Sequence, residues 1–195
     1  MIHSPRFKVV LDSCVLYPAP VRDILLSLAA ERLFKPKWTA IIQNEGLSNL
    51  MKNRKDLSRA SLELTIRSMN KAFPDANVKN FEELISGLKL PDQNDRHILA
   101  CAIRCKADLI VPFNLKDFPK KYLGNYDIEV QNPDQLICNL IDLNEAIAFS
   151  AFTKMVKRLN KPTMTTSQVV NSLRKCGLIK SGKLFEKKAE SINNF

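Results

Sequence analysis

Apolar residues along this chain recur in two alternating rhythms. Phe7-Lys8-Val9-Val10-Leu11-Asp12 is a short, nearly continuous apolar run that ends on an acid, as a buried strand does. After the break at Pro18-Ala19-Pro20 the spacing becomes helical, with Leu25, Leu26, Leu28 and Ala29 predicting a helix from about residue 20 to 32. Thr39 is placed to cap a second helix carrying Ile41, Ile42, Glu45 and Leu50. Ser58 is placed to cap a third, with Leu62, Leu64, Ile66 and Met69, and Pro74-Asp75-Ala76 reads as a turn. A further helix is expected to start near Pro91-Asp92 and to include Ile98, Leu99, Ala102 and Ile103. Two strand-like pieces follow, Ala107 to Val111 and Asp127 to Val130, and Asn132-Pro133-Asp134 opens another helix. Short buried strands alternating with amphipathic helices predict an α/β fold, a parallel sheet with right-handed crossovers.

From about residue 141 the rhythm is helical only. Segments 144–159, 166–176 and 183–192 are separated by Asn160-Lys161-Pro162 and by Gly177. The pattern divides the chain into a sheet domain, 1–140, and a helical C-terminal subdomain, 141–195.

Composition narrows the classes. With 195 residues, 45% of them hydrophobic, the chain can build a core, and five Gly and ten Pro are too few for a low-complexity protein. No apolar run approaches the roughly 20 residues of a membrane span, and the first residues lack a signal-peptide core. The expectation is a cytoplasmic protein with no membrane partner. Five scattered cysteines without a CxxC pair read as reduced thiols, and two histidines argue against a histidine-rich zinc site. The net charge of +10 favours a polyanionic partner, and it is lopsided: residues 141–195 hold ten basic and four acidic side chains.

Several acids fall where an open parallel sheet places its ligand site, beyond the C-terminal ends of the strands. Asp12 ends the first strand, Asp92 and Asp95 stand where the helix after Pro91 should begin, and Asn114 and Asp117 follow Leu109 to Val111. Glu45 sits among apolar residues of a helix. Each has an ordinary role as a cap or an exposed charge, so only their joint placement is informative. Convergent carboxylates suit Mg²⁺ or Mn²⁺, ions fit for phosphodiester hydrolysis.

The segments Val9 to Pro18, Asp92 to Ala100 and Val111 to Pro119 together resemble the PIN-domain family, closest to the branch of VapC-type toxins of bacterial toxin–antitoxin operons. The tail, including Lys161-Pro162-Thr163-Met164-Thr165, resembles the helical extension that follows some of these domains. The resemblance implies a three-layer α/β/α sandwich and a Mg²⁺- or Mn²⁺-dependent endoribonuclease. It implies Asp12, Glu45 and Asp95 as catalytic metal ligands, with Asp92 and Asp117 supporting them directly or through water. The commonest pattern is altered at Pro112, which stands where a hydroxyl residue is usual, and at Asn114, which replaces an acid. Arg22, Arg96, Asn114 and Lys116 are candidates for holding substrate, with Lys52, Arg54 and Lys55 as further positive charge. The implied partners are an RNA substrate and a cognate antitoxin protein, and the resemblance is compatible with a homodimer. Two other classes stay open on the residues alone: a protein-binding module with a vestigial acid cluster, and a structure-specific DNA nuclease.

Overall fold

A computed structural model describes residues 7–160 and 162–193. The elements, in chain order, are β1 (Lys8–Leu11), α1 (Ser13–Leu16), α2 (Ala19–Ala30), β2 (Lys35–Lys37), α3 (Ala40–Asn53), α4 (Arg59–Ala72), α5 (Glu82–Ile85), α6 (Arg96–Cys105), β3 (Leu109–Val111), α7 (Lys120–Leu123), β4 (Glu129–Val130), α8 (Pro133–Leu143), α9 (Glu145–Arg158), α10 (Thr166–Lys175) and α11 (Ile179–Asn193). They form two compact units. One comprises residues 7–17 and Phe34–Gln131, and the other Pro18–Leu33 together with the residues from Asn132 onward.

The first unit is an α/β unit built on a four-stranded, wholly parallel sheet of order β2-β1-β3-β4. Val9 pairs with both Pro36 and Leu109, and Ile110 with Val130. Val9, Val10, Leu11, Leu109, Ile110 and Val111 are all fully buried, which is why these strands read as continuous apolar runs. The edge strand β2 was not apparent in the pattern. Its Lys-Pro-Lys sequence has no apolar alternation, and proline is tolerated there because an edge position spares one side from the ladder. The fourth strand is shorter than expected because Asp127 turns into the left-handed region, with φ 53°.

Two helices of this unit orient residues used below. Thr39 caps α3, its Oγ1 accepting from Ile42 N–H at 3.2 Å, and Ser58 caps α4 in the same way. The buried Gln43 exchanges hydrogen bonds with Asn70 of α4, whose Oδ1 also accepts from Trp38 Nε1 at 2.9 Å. That pairing fixes the rotation of α3 about its axis and turns Glu45, two residues on, away from α4.

The second unit is helical. Phe152 of α9 stacks on Phe185 of α11 with centroids 4.4 Å apart. Asp134, in the first turn of α8, accepts from the N–H of Lys180 (2.9 Å), the N–H of Ser181 (2.8 Å) and Ser181 Oγ (2.6 Å). This clamp begins α11 at Ile179, earlier than the expected residue 183. Lys154 pairs with Glu31 at 2.7 Å, and Arg158 donates to Ser27 Oγ at 2.7 Å, so two cations of α9 lie against α2. Lys161, part of the break after this helix and of the segment that resembles the family extension, lies outside the described residues. No helix among the described residues is long and apolar enough to cross a membrane.

Candidate active site

Strand β1 delivers Asp12 to the mouth of the first unit. Its N–H donates to Val111 O at 3.2 Å, which ties the ends of β1 and β3 together. Asp12 is the N-cap of α1, and its Oδ1 accepts from Ser13 N–H. Cys14 Sγ donates to Asp12 Oδ2 at 2.9 Å and itself accepts from Phe113 N–H at 3.4 Å. Only 9% exposed, the Asp12 carboxyl is pushed above its usual range by burial, against the thiol and Ser13 bonds that favour its charge, with Glu45 adding repulsion. Burial and the adjacent Asp12 push the Cys14 thiol up as well, so the neutral thiol is the form that donates.

Asp95 lies at the start of α6 but makes no capping bond with its side chain. Its carboxyl is pushed up to about 6, first by burial and then by the charges of Asp12, Asp117 and Asp92. Repulsion acting on one group from three neighbours means that these carboxylates share one electrostatic neighbourhood. The helix begins at Arg96, later than expected, because Asp92 Oδ1 accepts from Asn94 N–H at 2.8 Å and closes a turn. Asp92 is exposed, and Asp95 is partly buried.

Glu45 Oε1 lies 3.0 Å from His97 Nε2. His97 is only 7% exposed, and its Nδ1 has no hydrogen-bond partner. Placing the ring proton on Nε2 lets it donate to Glu45 and leaves Nδ1 as a buried acceptor. Nothing in the apolar pattern marked His97 or Cys14 as site residues. The signal was available only as position: each lies two residues after an acid of the constellation.

The β3–α7 loop supplies the last pair. Asn114 Nδ2 donates to Asp117 Oδ1 at 2.7 Å while Asn114 Oδ1 accepts from Lys116 N–H at 3.3 Å. Asn114 therefore orients Asp117 with its amide. Lys116 is exposed and makes no ion pair among the described residues. Arg96 is half-buried, and its Nε has no partner. Arg22 stands on α2, in the helical unit, where its Nε meets Asp23 Oδ1 at 3.2 Å.

A cavity of about 580 Å³ opens beside these acids, with Glu45, Asp95 and Lys52 in its lining. Among the described residues no three acidic, histidine or cysteine side chains converge closely enough to enclose a metal ion. The arrangement is thus a set of oxygen donors in mutual repulsion, not a closed coordination shell.

The comparisons with known proteins divide the chain in two. A family profile described as "PIN domain" matches residues 8–116, and one described as "VapC50 C-terminal domain" matches residues 133–184. The "Putative ribonuclease VapC50" of Mycobacterium tuberculosis (strain ATCC 25618 / H37Rv) is 35% identical over 79 residues, 40% of this chain and 47% of that protein. The match spans about half the length of that relative. No solved structure matches the chain significantly.

Proposed function

The chain belongs to the PIN-domain family, in its VapC-type branch with a C-terminal extension, and on that premise we propose that it is a divalent-metal-dependent endoribonuclease. In this reading it is the toxin of a bacterial type II toxin–antitoxin pair and works in the cytoplasm. In it the nuclease is assigned to residues 1–140 and the extension to the basic helices of 141–195, which share one compact unit with Pro18–Leu33 and with the residues from Asn132 onward.

The observation that carries the reading is the state of Asp95. Its carboxyl resists ionisation first because it is partly buried and then because the charges of Asp12, Asp117 and Asp92 repel its own. A divalent cation relieves such crowding, and the donors are all hard carboxylate oxygens, which suits Mg²⁺ or Mn²⁺. The donor chemistry suits such an ion although the described side chains do not enclose one as they stand, and Asp12, Glu45 and Asp95 would hold it with Asp92 and Asp117 in support. A bound divalent ion supplies activation of water and neutralisation of charge at the phosphate.

The chain's own residues prepare that chemistry. Ser13 N–H and the Cys14 thiol hold Asp12 in one orientation. His97 holds Glu45 against rotation, and Asn114 does the same for Asp117. Arg96 and Lys116 supply positive charge for the RNA backbone, which the acids would otherwise repel, and Asn114 offers it a neutral amide; Arg22 is a further cation for RNA, carried on the helical unit. A cognate antitoxin and a second copy of the chain are the protein partners of this reading.

The test uses single-stranded RNA and DNA of one sequence, with Mn²⁺, with Mg²⁺ and with EDTA. The RNA should be cut in either metal and left whole in EDTA, with the DNA untouched. Equal cutting of both strands would reassign the chain as a DNA nuclease, and cutting in EDTA would remove the metal from the account.

A further inference from the structure

The outward stripe of α3 carries Ile41, Asn44, Glu45, Ser48, Asn49 and Lys52, residues three and four apart that share one helical face. Opposite it Ile42, Gln43, Gly46 and Leu47 are buried, so a polar outer stripe is what an ordinary amphipathic helix would show. Two features set this stripe apart. It forms one wall of the 580 Å³ cavity that Ser13 and Asp95 line from elsewhere in the unit. And its amides are uncommitted: among the described residues neither Asn44, Asn49 nor Ser48 donates or accepts a side-chain hydrogen bond, while Gln43, on the inner face, is paired with Asn70.

We propose that this stripe is the subsite for the nucleoside adjoining the cut phosphate, with Asn44, Ser48 and Asn49 reading its base edge and ribose hydroxyl and Lys52 taking the next phosphate. The proposal rests on the nuclease reading above. Its chemistry follows from the lining. A track for phosphates alone needs cations, yet Lys52 is the single cation among the residues lining the cavity, which also contains two acids. An amide presents two donors and an acceptor in one plane, which suits a base edge, and a serine hydroxyl can serve a ribose hydroxyl. The dimensions agree. Glu45 and Lys52 are seven positions apart on the helix, about 10 Å at 1.5 Å per residue. That leaves room for one nucleoside between the acids and the lysine, and the cavity lies within the usual volume of small-ligand sites.

The experiment cleaves a random-sequence oligoribonucleotide pool with the wild-type chain in Mn²⁺ and sequences the new ends. The double variant Asn44→Ala/Asn49→Ala and the single variant Lys52→Ala are run beside it. Alanine at these solvent-facing helical positions favours the helix, so folding is not at stake, and a melting curve checks it. The double variant should raise KM by roughly three- to tenfold for each amide lost, and should relax base preference at one position beside the cut. Lys52→Ala should weaken all sequences alike and flatten the salt dependence by about 0.7 in slope. Cutting by the wild type with the same KM and the same base preference in the double variant would overturn the subsite. If the wild type cuts no RNA, the nuclease reading fails instead. Equilibrium binding of the same pool then decides, and equal affinity of wild type and double variant would overturn the subsite there too.

Discussion

Replacing Asp95 by Asn removes a carboxyl from a place where the fold resists its charge. The native carboxyl titrates at about 6 where an unhindered Asp titrates at 3.8, through burial and the repulsion of Asp12, Asp117 and Asp92. Each tenfold change in acidity is worth about 1.4 kcal/mol, so ionising Asp95 near neutral pH costs the native state roughly 3 kcal/mol before solvent screening. Asp95 is only partly buried, and solvent screening cuts that figure steeply. The start of α6 also returns a few tenths of a kcal/mol to a negative charge there, which leaves a net cost of about 1 kcal/mol. Asn keeps the shape, and no capping bond is lost, because the Asp95 side chain makes none.

The direction with pH follows from the raised value. Between about pH 4 and pH 6 the folded chain holds the Asp95 proton more tightly than the unfolded chain. The stability this confers is complete below the unfolded value and is lost as pH rises through about 6. Asp95→Asn should therefore match the wild type at low pH and exceed it near neutral pH. For a chain of this size about 1 kcal/mol corresponds to roughly 2–4 °C in Tm. Calorimetry in EDTA, at about pH 4 and about pH 7.5, reads the difference directly. In Mn²⁺ the order should reverse, since the wild type gains a ligand-linked stabilisation that the variant loses. A variant less stable than wild type at neutral pH without metal, or equal to it at both pH values, would refute the reasoning.

Other perturbations follow from the same geometry. Cys14→Ala removes the thiol that donates to Asp12 and should weaken Mn²⁺ binding by thermal titration, while Cys14→Ser should retain it. His97→Ala frees Glu45 and should cost about ten- to a hundredfold in metal affinity, the usual loss when the partner of a ligand is removed. Asp134→Ala leaves Ser181 Oγ and the first turn of α11 without their acceptor and should cost about 2 kcal/mol or more in urea unfolding.

How far the sequence foreshadowed this arrangement depends on whether each feature is local. β1 was legible because Val9, Val10 and Leu11 are buried on both faces and leave no polar alternation. The caps at Thr39 and Ser58 and the helix start at Asn132 were legible because a side-chain oxygen reaching a backbone N–H three residues on is a local event. β2 was not, since Lys35-Pro36-Lys37 becomes a strand only through its pairing with β1. The start of α6 was misplaced because an Asp before a helix can cap it or can close a turn, and Asp92 closes a turn on Asn94. At the site, the acids could be singled out by position along the chain. The bonds that orient them could not, because Cys14 meets Phe113, and His97 meets Glu45, only after the chain has folded.

The central claim is that this chain cuts RNA with metal held by its acids. Induced expression of the wild type and of Asp12→Asn, followed by mapping of new RNA 5′ ends, tests it most directly. Asp12→Asn keeps the shape and both neighbouring hydrogen-bond contacts within reach while removing the most deeply buried carboxylate of the set. The account predicts discrete new ends with the wild type and none with Asp12→Asn at equal protein level. The same ends from both proteins, or none from either, would contradict it.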